Sequence, residues 1–534
     1  MHFRITVNQR QIAEILSKKR SAQITARGVS LPKSTQNMMA RGAIWMVLFK
    51  LVERGLGLIS TLILARLLSP ADFGVVAMAL SFIAMAELMS AFGFDIAIIQ
   101  NQSATKAHYN SAWTCNFLLG LSITVLMLAV AVPIADFYGK PELTWVVLAL
   151  AFGPLLTSAE NIGVVAFRKE LDFRREFKFQ VSRKFVAFAV VVPLAFILRS
   201  YWALVVGILL SKLAGTVISY LMHPYRPRLA FSKVRELFVF SRWLLFNNLV
   251  SFFKERSADF FIGRLAGASS LGTYNIAYEL ANLPTTEISA PINRALLPGF
   301  AKMVAPSEIT SAYTNAVGLL ALIALPAAAG IFSVAPFLVP TLLGLKWLDA
   351  VPLMQILAFN GALLLFHSSM CSILIARGFP ARVTFSNACY TAILLTLLAI
   401  FFFSWREIGV VGAAYAALLT SVLCTPIYIY QMRNCLELPA SLFVKAIVRP
   451  LFAATILVGV VRWFLPAFEP TMSVFVTVAW LAAGCILGFF TYLLVISATW
   501  WLAGHPAGAE QVLMQRVREL LVQRFGKRFA ADRR

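Results

Sequence analysis

Charged residues are scarce in this sequence: Asp, Glu, Lys and Arg make up 13% of the 534 residues, about half of the roughly 25% that is typical of soluble domains. Hydrophobic residues make up 60%, and long apolar runs recur along most of the chain. Each run is long enough to cross about 30 Å of hydrocarbon as a helix. The composition excludes a soluble globular protein, and the continuous runs exclude the alternating strands of a β-barrel.

The sequence also lacks the patterns of metal sites, disulfide frameworks and cleaved signal peptides. Its six cysteines are scattered in or beside apolar runs without metal-ligand spacing. The first forty residues contain no apolar signal-peptide core, so we expect the first span to direct insertion. The connections between spans are short and contain no catalytic constellation. We therefore expect no enzymatic activity, no bound metal and no cofactor.

The expected fold class is an all-α polytopic membrane protein with two six-helix parallel repeats around a central cavity and two extra C-terminal helices. We predict about fourteen spans, at 43–65, 72–94, 111–135, 142–166, 184–198, 201–222, 243–263, 270–290, 313–336, 349–376, 382–404, 408–430, 444–465 and 472–500. The predicted segments are a basic cytoplasmic arm (1–40), a first half (41–223), a second half (224–430), two extra transmembrane helices (431–502) and a basic amphipathic cytoplasmic tail (503–534).

The formal net charge of +23 is distributed unevenly along the chain. Of the 47 Lys and Arg residues, seven lie in or beside odd-numbered connections, five lie deep inside spans, and 35 lie in the arm, the tail and the even-numbered connections. This asymmetry is the positive-inside pattern and predicts that both termini are cytoplasmic. Since topology and contact with anionic lipids account for the charge, we expect no nucleic-acid partner.

A shift of 198 residues aligns part of the first half with the second. It superimposes the Arg-Leu pair at 66–67 on the Arg-Leu pair at 264–265, and Gly74 on Gly272, among seven identities in about 35 positions. Because six spans separate the two segments, both halves have the same orientation. The axis that relates them then runs along the membrane normal, as in transporters with parallel repeats.

Span seven carries four charges within six residues, Lys254, Glu255, Arg256 and Asp259. Each would cost about 2.5–3.5 kcal/mol at the centre of a lipid-facing helix. At about 100° per residue, Asn248, Glu255 and Asp259 lie within about 80° of arc, and phenylalanines occupy the opposite side. We therefore predict that the polar sector of span seven is turned away from lipid.

Spans one and eight have polar faces of the same kind. In span one, Lys50, Glu53 and Arg54 share a face that overlies the polar face of span seven under the 198-residue shift. Span eight carries Asn275 and Glu279 at helical spacing. We predict that these faces, together with that of span two, meet at a central water-filled cavity.

The candidate site consists of ten residues in two groups. The substrate-binding candidates are Lys50, Arg54, Asn248, Lys254, Arg256 and Asn275, and the candidates for ion coupling or charge balance are Glu53, Glu255, Asp259 and Glu279. For any single residue, the structural alternative is an ion pair that only fixes helix packing. The symmetric cluster favours a substrate pathway, and its free cationic groups suit a phosphate or an acidic sugar.

Other polar groups in the spans have two interpretations each. Glu87 and Asp95 extend the polar face of span two toward the same cavity. Glu160 either binds an ion or stabilises a bundle contact, and Lys212 either snorkels or pairs with a carboxylate. We interpret His367, which lies among small and apolar residues, as a packed histidine.

Three stretches resemble bacterial polysaccharide flippases of the Wzx type, in the polysaccharide-transporter branch of the multidrug, oligosaccharidyl-lipid and polysaccharide exporter superfamily. They are RGAIWMVLFKLVERGLGLISTLILARLLSPADFGVVAMA at 41–79, AFRKELDFRREF at 166–177 and INRALLPGFAKM at 292–303. The resemblance implies a V-shaped bundle of two six-helix halves whose cavity is lined by helices one, two, seven and eight. It also implies a substrate, an oligosaccharide repeat unit on undecaprenyl pyrophosphate, which is moved across the bacterial inner membrane by alternating access.

The resemblance further implies a role in exopolysaccharide, capsule or lipopolysaccharide O-antigen biosynthesis. The implied partners are the lipid-linked oligosaccharide, the bilayer, a coupling H⁺ or Na⁺, and a polymerase with its chain-length proteins. Two alternatives stay open. A drug/cation antiporter of the same superfamily would present an acidic or aromatic cavity, and a membrane-embedded polysaccharide polymerase or ligase would need a larger periplasmic loop with convergent catalytic groups.

Overall fold

The computed structural model describes residues 33–88, 94–101, 103–170, 172–505 and 508–511. The predicted basic arm, up to residue 32, and the predicted tail from residue 512 onward lie outside the described residues. Within the described part of the chain, α-helices account for all long elements and no strand occurs. The predicted all-α fold class is confirmed.

The helices follow one another with short connections. Those up to residue 223 are α1 (Lys33–Leu67), α2 (Pro70–Glu87), α3 (Phe94–Gln100), α4 (Lys106–Tyr138), α5 (Glu142–Leu150), α6 (Phe152–Ser158), α7 (Val165–Lys169), α8 (Phe173–Leu198) and α9 (Trp202–Met222). Those after it are α10 (Val234–Leu265), α11 (Gly267–Lys302), α12 (Pro306–Leu342), α13 (Ala350–Ala376), α14 (Pro380–Ser404), α15 (Val410–Leu436), α16 (Ala440–Phe464) and α17 (Val474–Leu502).

By length and composition, ten helices in the described residues are able to cross a membrane, and the bent pair Glu142–Ser158 and Ile162–Lys169 would be an eleventh span. Three further helices, α1, α10 and α11, are 32 to 36 residues long and carry the charged faces described above. They are therefore long enough to span the bilayer but too polar to be recognised by composition. The count of fourteen spans stays a prediction.

The fourth predicted span, 142–166, is wrong as a continuous helix. It is divided into α5, α6 and α7, and the chain bends by 58° after α6. Asn161 occupies the bend, where its side chain accepts a hydrogen bond from the N–H of Gly163 at 2.9 Å and donates to the carbonyls of His223 at 3.1 Å and Tyr225 at 2.6 Å. One buried amide thus holds the bent backbone and the connection to α10 together.

That connection, residues 223–233, is held to α4 by side chains. The Oδ1 atom of Asn110 accepts from the N–H of Arg228 at 3.0 Å, and the hydroxyl oxygen of Thr114 accepts from the N–H of Ala230 at 3.0 Å. These hydrogen bonds fix the connection to α4.

Helices α2 and α11 cross in direct backbone contact. A Cβ atom on Gly74 would overlap the carbonyl oxygen of Ala268, and a Cβ atom on Gly272 would overlap the carbonyl oxygen of Pro70. Both contacts are related by the 198-residue shift, since 268 and 272 correspond to 70 and 74. The glycines superimposed in the sequence therefore form one reciprocal crossing between the halves.

Polar contacts close the same end of the bundle. The guanidinium of Arg66 donates to the carbonyl of Leu342 at 3.1 Å, the ammonium of Lys346 donates to the carbonyl of Arg66 at 3.0 Å, and the indole of Trp347 donates to the carbonyl of Ala65 at 2.8 Å. These bonds join the end of α1 to the segment between α12 and α13. The end of the bundle that contains the odd-numbered connections is closed.

The crossing predicts that alanine is poorly tolerated at either glycine. Gly74→Ala and Gly272→Ala each push two helix backbones apart, and such overpacking costs about 1–3 kcal/mol. The matched control is Gly459→Ala, because a Cβ atom on this helical glycine meets nothing within 4 Å. In thermal unfolding of the purified protein, both crossing variants should melt below the wild type while the control does not. Equal melting of all three variants would contradict the crossing.

Candidate functional site

The charged stretch of α10 borders a cavity of about 350 Å³ in the second half. Its lining includes five of the ten candidate residues, Lys254, Glu255, Arg256, Asp259 and Asn275. The remaining wall is formed by three tyrosines and by residues of α13, α14 and α15. The four charges of α10 thus face a polar cavity instead of lipid. The protein therefore avoids the free-energy cost of exposing these charges to hydrocarbon.

Asp259 is the buried anchor of this cavity. Its side chain is 3% exposed, and its Oδ2 atom lies 3.2 Å from Nη1 of Arg256 and accepts a hydrogen bond from Ser81 at 3.1 Å. Ser81 belongs to α2, so the carboxylate ties the first half to the second. The Arg256 side chain is 44% exposed, which leaves it able to meet a ligand from the cavity.

Lys254 is a cation with neutral partners only. Its ammonium donates to Oδ1 of Asn387 at 3.1 Å and lies 4.7 Å from the ring centroid of Tyr390. The hydroxyl of Tyr428 donates to the same Asn387 oxygen at 3.3 Å. Among the described residues, no carboxylate lies within 4 Å of this ammonium. The arrangement leaves a positive charge available for an anionic ligand.

The candidates on α1 form ion pairs. The ammonium of Lys50 lies 2.7 Å from Oε2 of Glu53, whose other oxygen lies 3.4 Å from Lys184. The guanidinium of Arg54 lies 2.7 Å from Oε1 of Glu287 on α11. The expectation of free cationic groups is therefore wrong for Arg54, because α11 supplies Glu287, a carboxylate that sequence reasoning missed. The available signal was its charge on the same helix as the candidates Asn275 and Glu279.

Glu255 lines the α10 cavity, but among the described residues no basic group forms an ion pair with it or with Glu279. Asn248 has a polar contact but, like Glu279, does not line the α10 cavity. Eight of the ten residues therefore form two groups, five around the α10 cavity and three on α1, where Arg54 contacts α11. Asn248 and Glu279 belong to neither group.

A second cavity, of about 700 Å³, lies within the first half. The sequence analysis directed Glu87 and Asp95 to a single central cavity, and the structure places both here instead. The ammonium of Lys212 lies 3.3 Å from Glu87, which settles its two interpretations in favour of an ion pair. Arg183 lies 3.2 Å from Glu160.

His367 is packed, as the sequence suggested. Its ring stacks on that of Tyr428 with the centroids 4.3 Å apart, and its Nε2 atom lies 3.0 Å from the hydroxyl of Thr425. The side chain is buried in α13. In the part of the chain that the structure describes, no group of three His, Cys, Asp or Glu residues is arranged to hold a metal ion.

Residues 63–352, more than half of the chain, match the family described as "Polysaccharide biosynthesis protein". The chain belongs to this family. The lipopolysaccharide biosynthesis protein WzxC of Escherichia coli (strain K12) is 26% identical over 403 residues, which cover 73% of this chain and 80% of WzxC. The succinoglycan biosynthesis transport protein ExoT of Rhizobium meliloti (strain 1021) is 24% identical over 336 residues, which cover 62% of this chain and 68% of ExoT.

A solved structure with the same fold is that of the lipid II flippase MurJ in an inward closed conformation. It aligns with a TM-score of 0.71 over 85% of this chain and 99% of MurJ, at 12% sequence identity. The similarity shows that this member of the polysaccharide biosynthesis family has a transporter fold. The expectation of a multi-pass membrane transporter rather than an enzyme is confirmed by the family and by these relatives.

The contacts predict opposite stability effects for two neighbouring charges. Lys254→Met leaves no carboxylate unpaired among the described residues, so the melting temperature should stay equal or rise. Asp259→Ala removes the ion pair with Arg256 and the hydrogen bond that joins Ser81 of α2 to α10, and it should cost about 1–3 kcal/mol. The hydroxyl of Ser81 keeps the carbonyl of Ala77 as an acceptor at 2.9 Å. Thermal unfolding of the two purified variants checks both. A large loss of stability in Lys254→Met would mean that its ammonium has a structural role.

Proposed function

We propose that the protein translocates undecaprenyl-pyrophosphate-linked oligosaccharide repeat units across the bacterial inner membrane, for exopolysaccharide, capsule or lipopolysaccharide O-antigen biosynthesis. The observation that carries the proposal is a flippase fold, in a polysaccharide biosynthesis family, whose charged helix faces border polar cavities. The lipid tail stays in the bilayer while the head group passes through the protein.

The cations suit the anionic part of this substrate. Lys254 has only neutral partners among the described residues, and Arg256 is half exposed to the same cavity. A pyrophosphate or an acidic sugar would supply the missing negative charge, and a charge-assisted hydrogen bond is among the stronger polar contacts available. The lining also contains Glu255 and Asp259, so the preference for an anionic cargo over the cation of a drug/cation antiporter rests on Lys254, whose ammonium has no carboxylate within 4 Å among the described residues.

The closed end defines a state in the transport cycle. If both termini are cytoplasmic, as the distribution of Lys and Arg predicts, then the crossing of Gly74 and Gly272 seals the periplasmic end. The cavities are then loaded from the cytoplasm, where the lipid-linked unit is made. Outward opening must separate α2 from α11 and break the contacts of Arg66 and Trp347.

The acidic candidates divide by their contacts. Glu53 and Asp259 are engaged with bases, whereas Glu255 and Glu279 form no ion pair among the described residues. A carboxylate without a fixed cation is able to take up a proton or a sodium ion reversibly. Coupling to H⁺ or Na⁺ therefore fits Glu255 and Glu279 best, and Glu53 and Asp259 fit charge balance. A polymerase with chain-length proteins would act on the product.

The experiment that tests the function is lipid extraction from a strain deleted for this gene. Mass spectrometry should detect accumulated undecaprenyl-pyrophosphate oligosaccharide, and surface polymer should be lost. Normal polymer with new sensitivity to cationic drugs would favour the antiporter. Normal amounts of the lipid-linked unit with loss of polymer length alone would favour a polymerase or ligase.

The ion pairs of α1 allow a matched test of the cationic groups. Lys50→Ala with Arg54→Ala should abolish export, since the positive charge that attracts the head group is gone. The control is Glu53→Gln with Glu287→Gln, which breaks the same two ion pairs but keeps both cations. Surface polymer and membrane level of each variant are measured. Equal loss of export in both double variants would assign the cations a packing role only.

A further inference from the structure

The charged residues that line the first-half cavity come from six different segments of the chain. Its charged lining residues are Glu87 at the end of α2, Asp95 on α3, Glu160 after α6, Arg168 on α7, Arg183 on α8 and Lys212 on α9. At about 700 Å³ it has twice the volume of the α10 cavity and falls within the range of about 300–1,000 Å³ that is typical of ligand sites. Because charged residues from six separate segments face this cavity, its polarity does not come from one amphipathic helix.

The charges of this cavity are balanced. Lys212 pairs with Glu87 at 3.3 Å, and Arg183 pairs with Glu160 at 3.2 Å. Arg168 lies 3.6 Å from Asp95. Three carboxylates face three cations, so there is no excess charge to concentrate a phosphate or a free metal ion. The lining suits a neutral ligand rich in donors and acceptors.

The cavity is also open and under-satisfied. The side chains of Glu87, Asp95 and Arg168 are 40–43% exposed. The Oε1 atom of Glu160 is buried and accepts no hydrogen bond among the described residues, although Arg183 lies beside it. The ion pair with Arg183 at 3.2 Å neutralises the charge of this carboxylate but leaves the oxygen without a well-formed hydrogen bond. Hydroxyl groups of a ligand would supply donors to the carboxylates and acceptors to the guanidinium groups.

The two cavities are neighbours across α2. Ser81 of α2 donates to Asp259 at the α10 cavity, and Glu87 of the same helix lines the first-half cavity. Six residues separate them, which is about 9 Å along the helix axis. Glu87 is also the residue farther from the closed end. A head group that places its anionic part near Lys254 therefore has the first-half cavity within reach of its sugars.

We propose that the first-half cavity is the carbohydrate subsite, which holds the sugar residues of the head group while the α10 cavity holds its anionic part. The inference rests on the proposed function. It separates the recognition of sugars, by ion-paired charges in the first half, from the recognition of phosphate or acid in the second half, by Lys254, which has no ion-pair partner among the described residues, and by the half-exposed Arg256. The length and identity of the repeat unit would then be selected by the first half.

The test fills the cavity without changing its charges. Thr157 lines the cavity and is exposed to it, so Thr157→Trp adds bulk without displacing a core side chain. The control is Phe152→Trp, an aromatic exchange at an exposed position on the same helix α6. Purified full-length protein is reconstituted in liposomes with two substrates, the lipid-linked unit that accumulates in the deletion strain and the same carrier trimmed to its first sugar. Translocation is measured by access of a membrane-impermeant oxidant to the sugars.

Thr157→Trp should slow translocation of the complete unit at least tenfold and leave the single-sugar carrier within twofold of wild type, whereas Phe152→Trp changes neither. Equal slowing of both substrates, or of neither, would overturn the carbohydrate subsite. Wild-type protein that moves neither substrate would overturn the proposed function itself. If Thr157→Trp does not fold, Glu160→Gln with Arg183→Gln removes one ion pair of the cavity without adding bulk. It should show the same preference for the short substrate.

Discussion

The cost of placing charge in hydrocarbon is the constraint on which this architecture depends. Four charges in six residues of α10 would cost about 2.5–3.5 kcal/mol each at the centre of a lipid-facing helix. The structure turns them to a polar cavity and ties Asp259 to α2 through Ser81. A helix of this composition is stable in the membrane only while the cavity exists. The polar interior that we propose for the head group is therefore also a condition of folding.

The close crossing of α2 and α11 complements this polar interior. Gly74 and Gly272 bring two helix backbones into contact at the closed end of the bundle. The charged faces of α2, α10 and α11 lie on the other side of this crossing, away from the closed end. Helix α2 thus takes part in the closed end, in the α10 cavity and in the first-half cavity. A rearrangement that separates α2 from α11 would act on all three at once, which is the coupling that alternating access requires.

Helical periodicity predicted the polar sector of α10, the 198-residue shift paired Gly74 with Gly272, and the resemblance to a known family implied the fold. Contacts between distant segments were not accessible from the sequence. The partner of Arg54 is Glu287, 233 residues away, and the charged residues of the first-half cavity come from six segments. The bend at Asn161 depends on carbonyls some sixty residues later, so no local pattern indicates it.

The most direct measurement of the central claim is the water accessibility of the α10 face in the membrane. Glu255→Cys and, as a lipid-side control, Leu249→Cys are placed in a background without the six native cysteines and exposed to a membrane-impermeant maleimide. The account predicts that Glu255→Cys reacts in inside-out vesicles but not in spheroplasts, and that Leu249→Cys reacts in neither. An unreactive Glu255→Cys in both preparations would contradict a water-filled, cytoplasm-facing cavity.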